Sequence, residues 1–233
     1  MASIQFLGCG GAFDIEVGNS AAIVQVEGKS LLLDCGNTTY LRLRQLELTE
    51  TLDGVLLTHL HDDHAGSLGT LVFHRQYISQ APPLDIFVAT EAFGREVHTY
   101  LRHFMQNTVS ERARIATLDE LEGVTAIDTT DRHVRGMQSF GFVFQDAESA
   151  FAYSGDIGDP DFFFAQLKKR SLQDLRVYHD ICFFPNVDAH AHYAAVARHQ
   201  ERYDIVGYHH NPAHNPADNP LPIVHALPEI RLY

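Results

Sequence analysis

Four side chains that bind transition metals fall within six residues: His59, His61, Asp63 and His64, in the run Thr-His-Leu-His-Asp-Asp-His-Ala-Gly-Ser-Leu at 58–68. Neutral imidazole nitrogens and carboxylate oxygens are ordinary zinc ligands, and three protein ligands beside an open position mark a catalytic ion. On a short turn the alternation sends His59 and His61 one way and Asp63 and His64 the other, as two adjacent ions require. An isolated histidine at a strand end more often only hydrogen-bonds; four ligand side chains in six residues outweigh that reading. Further donors stand at separated strand ends: His133 beyond a strand ending at Asp128, Asp156 closing Tyr-Ser-Gly-Asp at 153–156, and His209 after Ile-Val-Gly-Tyr at 205–208. The pattern assigns His59, His61 and His133 to one ion and Asp63, His64 and His209 to the other. Asp156 then bridges them, since a shared carboxylate holds two ions about 3.5–4 Å apart. His210 competes for the last place, but His209 ends the apolar run directly.

The elements that must position these donors are legible as short apolar segments. Strands are expected at 4–7, 22–26 and 30–34, the last two joined by a Glu-Gly-Lys turn, and a helix at 38–46 leads to a buried strand at 53–58 that ends on the histidine loop. A helix at 68–79, a strand at 86–89 and a helix at 91–106 with Thr90 as N-cap follow. In the second half, strands are expected at 124–128, 140–145, 150–154, 177–181 and 205–208, with helices at 162–169 and 193–203. Two β-rich halves with helices outside make an α/β fold, a four-layer αββα sandwich, and no linker divides residues 1–233. The Asn-Pro-rich stretch at 211–222 suits only an extended surface loop.

The motifs at 6–13 (Phe-Leu-Gly-Cys-Gly-Gly-Ala-Phe), 33–36 (Leu-Asp-Cys-Gly), 57–64 and 153–156, with the late histidine strand, occur in this order. Together they resemble the metallo-β-lactamase-fold hydrolases of the ribonuclease Z-like phosphodiesterase branch, from about residue 4 to 212. Full ribonuclease Z proteins carry an inserted arm that grips transfer RNA and a Thr where this chain has Cys9; here only short loops separate the ligands. The arm-less format is more similar to the small cyclic-nucleotide phosphodiesterases, including the phage anti-Pycsar type.

That resemblance implies hydrolysis of a cAMP- or cGMP-like phosphodiester by hydroxide activated on two Zn2+ per subunit, with Mn2+ an alternative, in a homodimer. Asp63 would orient the water, and a histidine ahead of the last ligand would protonate the leaving oxygen. His190 and His192 are the candidates, with His190 favoured and helix capping the structural alternative. Asp34 suits the partner that a metal-bound histidine needs on its far nitrogen. Competing readings are a transfer-RNA 3′-processing nuclease, a lactone, thioester or β-lactam hydrolase of the same fold, and a metal sensor without catalysis.

Composition narrows these. Seventeen basic against thirty acidic residues give a net charge of −13, which disfavours long nucleic acid because such binding draws on clustered Lys and Arg. Three cysteines with no Cys-x-x-Cys pair argue against a disulfide framework or thiolate zinc and fit a reducing cytoplasm. The first residues read as a strand rather than a signal, and no apolar run approaches a membrane span.

Overall fold

The computed structural model describes residues 1–172 and 175–226. The first half forms a six-stranded sheet of β1 (Ser3–Gly8), β2 (Ala21–Val26), β3 (Lys29–Leu33), β4 (Gly54–Leu56), β5 (Leu84–Val88) and β6 (Ala113–Thr117), in that order. Its helices are α1 (Thr39–Gln45), α2 (Asp62–Ala65), α3 (Leu68–Tyr77), α4 (Glu91–Met105) and α5 (Val109–Arg112). The second sheet contains β7 (Val124–Asp128), β8 (Phe140–Gln145), β9 (Ala150–Tyr153), β10 (Arg176–Asp180) and β11 (Asp204–Tyr208), in the order β11-β10-β9-β8-β7, with α6 (Pro160–Lys169) and α7 (Tyr193–Ala197) beside it.

Each sheet begins antiparallel and ends parallel. In the first, β1 to β3 form a meander, and β3 to β6 run parallel with Leu31 opposite Gly54 and Leu33 opposite Leu56. Parallel strands are covered on both faces and read as unbroken apolar runs; Val55, Leu56 and Leu57 are accordingly all buried. In the second sheet β9, β10 and β11 are the parallel strands. Inner faces meet where the Phe6 ring lies 5.3 Å from Tyr178 and 5.9 Å from Tyr208. Outside the second sheet, Phe163, Phe164 and Leu167 of α6 and Val196 of α7 cover Val177 and Ile205 in a second apolar cluster. Helix, sheet, sheet and helix thus stack in the four layers expected.

Several boundaries moved for local reasons. The strand expected at 53–58 is regular only over Gly54–Leu56, with single flanking hydrogen bonds from the Asp53 amide to Ser30 and from the Leu57 amide to Phe87. Helix α6 starts two residues early on the cap of Asp159, whose side chain accepts from the Phe162 amide at 3.0 Å, with Pro160 in the first turn. Helix α7 ends at Ala197 rather than 203, and β6 was not anticipated.

One buried polar group constrains this outer layer. His179 on β10 stacks on Phe164 at 5.4 Å, and its Nδ1 donates to the Asp180 carbonyl at 2.7 Å. Burial pushes its pKa down to about 4, so the folded protein holds it neutral. Because the folded value lies below the unfolded one, stability from this group is complete above pH 6.5 and is lost as pH falls toward 4. Chemical denaturation should show about 3 kcal/mol of that acid loss removed in His179→Leu relative to the parent chain.

Candidate metal centre

The ligand loop leaves β4 through the buried Thr58 and His59, and His61 serves as the N-cap position of α2. One helical turn then places Asp63 and His64 side by side. The loop after β3 lies against this turn so closely that a side chain on Gly36 would collide with the Asp63 carbonyl. Close backbone approach is what glycine permits here.

From three other loops come His133, Asp156 and His209, and two donor sets result, overlapped by a third group of His133, Asp156 and His190. His59, His61 and His133 form one; Asp63, His64, Asp156 and His209 form the other, the atoms of each set lying within 4.8 Å of one another. In the first set His61 Nδ1 stands 3.1 Å from His59 Nε2 and 3.0 Å from His133 Nε2. In the second, Asp156 Oδ2 is 3.2 Å from His64 Nε2 and 3.3 Å from His209 Nε2. The same oxygen is 3.9 Å from His59 Nε2 and from His133 Nε2, which puts Asp156 between the sets.

The far sides of the rings settle which nitrogens face inward. His64 Nδ1 donates to Asp34 Oδ2 at 2.8 Å, and His133 Nδ1 donates to the Ala189 carbonyl at 2.8 Å. Thr58 Oγ1 donates to Asp34 Oδ2 at 2.8 Å, so it can only accept from His59 Nδ1, 2.9 Å away. His209 Nδ1 pairs with Ser20 Oγ at 3.3 Å. These contacts aim the Nε2 atom of each ring toward the cluster, the orientation that metal-bound histidines use.

Electrostatics agree with a cationic occupant. Buried His64 Nε2 and Asp156 Oδ1 have no hydrogen-bond partner, and unpartnered buried polar atoms are costly. Burial drives His59 well below the usual histidine range, with the charge of His64 adding to it. Burial alone would raise Asp156, but His209, His64 and His59 together hold it well below the usual carboxylate range. An all-imidazole-and-carboxylate donor set fits a divalent metal such as zinc.

His190 joins this centre. Its Nδ1 donates to Asp180 Oδ2 at 2.9 Å and lies 3.9 Å from Asp156, with its ring 4.9 Å from that of His209. Burial lowers its pKa, but the Asp180 carboxylate outweighs that and raises it to about 9. His192 instead caps α7, its Nδ1 accepting from the Ala194 amide at 3.4 Å. His209 enters the donor set because its φ of 67° turns the chain at the strand end, while the amides of His209 and His210 both donate to the Cys9 carbonyl. His210 is buried against Phe183 outside both sets.

Asp180 is the site residue that sequence reasoning missed. It ends β10, and the pairing of that strand sets it opposite Tyr208 and hence beside His209, a placement that no local pattern in the sequence announces. His61, Asp63, His133, Asp156 and His209 line a cavity of about 550 Å³ together with Phe13, Val134, Phe183, Phe184 and Val187.

A sequence profile of the family described as Anti-Pycsar protein Apyc1 matches residues 2–221. The chain belongs to the anti-Pycsar Apyc1 family. The Apyc1 of Paenibacillus sp. (strain J14) is 26% identical over 195 residues, 76% of each chain. Among solved structures, the metallo-β-lactamase fold protein YhfI from Bacillus subtilis superposes with a TM-score of 0.67 at 18% identity, over 90% of this chain and 86% of that one. Human tRNase Z, short form, gives 0.60 at 20% identity, over 91% and 94%. This Apyc1-family chain therefore has the metallo-β-lactamase fold, with clustered donors suited to divalent metal.

If Asp34 orients His64, Asp34→Ala should lower zinc affinity about 10- to 100-fold, measurable by competition with a chromophoric chelator.

Proposed function

We propose that this Apyc1-family chain is a zinc-dependent phosphodiesterase that hydrolyses small cyclic nucleotides of the cAMP or cGMP type. The observation that carries the reading is convergence: His61, Asp63, His133, Asp156 and His209 of the two donor sets, His190 and an apolar wall all line one cavity of about 550 Å³. That volume lies in the range of pockets for single small molecules. The acidic chain, at −13, favours a small substrate over transfer RNA.

His59, His61 and His133 would hold one zinc and Asp63, His64 and His209 the other, with Asp156 shared; manganese suits the same oxygen and imidazole donors. When bound, such ions polarise a phosphoryl oxygen and lower the pKa of water toward about 7. The protein's own groups do the rest. Asp63 accepts a hydrogen bond from the attacking water and sets its direction. His190 holds a proton toward the leaving ribose oxygen and gives it up as the P–O bond breaks, while Asp180 fixes the ring. Phe13 and Phe184 offer flat apolar surface to the base.

Self-association as a homodimer is part of the proposal, favoured by the exposed Phe13 and Ile15, 95% and 76% accessible; light scattering should give twice the chain mass. Among the described residues no helix is long and apolar enough to cross a membrane, and the free cysteines fit a cytoplasmic setting.

Zinc-loaded protein should open 3′,5′-cyclic AMP and GMP to the monophosphates, and a chelator should abolish this. Protein of confirmed zinc content that leaves both intact but cleaves precursor transfer RNA, or a lactone, would replace this reading. Among variants, His190→Ala should lower kcat by about 10²- to 10⁴-fold with zinc retained, and by more than His192→Ala.

A further inference from the structure

The segment between Cys182 and His192 supplies both His190 and much of the cavity wall, yet two of its apolar side chains are weakly supported. Phe184 is 56% exposed and Val187 38%. Main-chain pairing closes the base of the loop, with the Cys182 amide donating to the Ala191 carbonyl at 2.7 Å and the Tyr193 amide to the Cys182 carbonyl at 3.1 Å. Above that base the Phe184 amide donates to Cys182 Sγ at 3.3 Å, and further holds on the backbone come from the loops that carry metal donors. His133 Nδ1 donates to the carbonyl of Ala189, the residue before His190, at 2.8 Å. The backbone at Asp188 lies against Gly158, two residues beyond Asp156, so closely that any Cβ on Gly158 would strike the Asp188 carbonyl. Gly158 is itself pinned, its amide donating to the carbonyl of Arg132, next to His133, at 2.8 Å. Three loops are thus interlocked at their main chains, and one link is the far nitrogen of a donor in the His59, His61, His133 set.

Resting on the metal-centre reading above, we propose that Gly158 and the His133–Ala189 hydrogen bond are positioning contacts that seat residues 183–190 over the donors, so that filling the His133 site also fixes the wall of Phe183, Phe184 and Val187. A metal on Nε2 fixes the ring and holds its Nδ1–H toward one acceptor. Without that constraint only ring packing against His59, His61 and His190 keeps the His133 Nδ1 on the Ala189 carbonyl. The loop then belongs to the low-stability end of the fold, where few buried apolar contacts resist local opening.

The chain contains no tryptophan, so Phe184→Trp gives a single reporter on this wall that needs no substrate. Zinc chloride added to metal-stripped Phe184→Trp protein should cut acrylamide quenching of the tryptophan by at least about twofold. Adding His133→Ala should abolish that response, although Asp63, His64, Asp156 and His209 still take up zinc, as counted by calorimetry. Adding Gly158→Ala should raise quenching and leave it high after zinc. Zinc uptake with unchanged quenching, or a full response in the His133→Ala protein, would overturn the inference while leaving the metal centre intact; no zinc uptake at all would overturn both. The zinc and His133 arms decide even if Gly158→Ala fails to fold.

Discussion

The centre exists because His59, His64, His133 and His209 each have something to hold on the far side. Imidazoles and carboxylates this crowded repel or stay unsolvated unless each has a partner. Asp34 is the key to that arrangement. It is completely buried at the end of β3, and it accepts from the Thr58 amide, the Thr58 hydroxyl and His64 Nδ1. Burial pushes its own pKa up, against the pull of His64 and Thr58, so its ionised form depends on the very groups it orients. One carboxylate thereby sets the start of the ligand loop, the tautomer of His64 and, through Thr58, that of His59.

The two sheets supply the rest by topology. Parallel strands must all deliver their carboxyl ends to one edge, and β4, β9, β10 and β11 end respectively near His59, Asp156, Asp180 and His209. The Gly155 turn after β9 has φ of +62°, and His209 is in the same left-handed region. Both depart from extended geometry where the chain must swing a donor inward, freely at Gly155 and at His209 with a cost that L residues accept only where surroundings dictate it. The loops then interlock through the Arg132 carbonyl, which accepts from the Gly158 amide, and the Ala189 carbonyl, which accepts from His133 Nδ1, and so an exposed wall belongs to a buried centre.

Much of this was readable in the chain. The spacing of His59, His61, Asp63 and His64 admits few local conformations, and apolar runs ending at Asp156 and His209 mark strand ends without any knowledge of pairing. Helix α4 was bounded by Thr90, whose hydroxyl does accept from the Phe93 amide at 3.1 Å. What escaped were features with no local pattern. The edge strand β6 carries only intermittent burial, Asp180 resembles any strand-terminal carboxylate, and His190 and His192 differ by two residues in one motif. Their divergence, one toward Asp180 and the other onto the amide of Ala194, follows from where α7 docks.

The amino-acid sequence by itself determined the donor types, their order and the αββα layering, because ligand chemistry, strand periodicity and short-range spacing are local properties. Only the tertiary structure decided that Asp156 Oδ2 sits between the two donor sets, that His209 rather than His210 completes the second, and that Asp180 and Ala189 position the groups around them. Those outcomes depend on contacts between strands tens of residues apart. No local pattern encodes the angle at which a distant loop arrives.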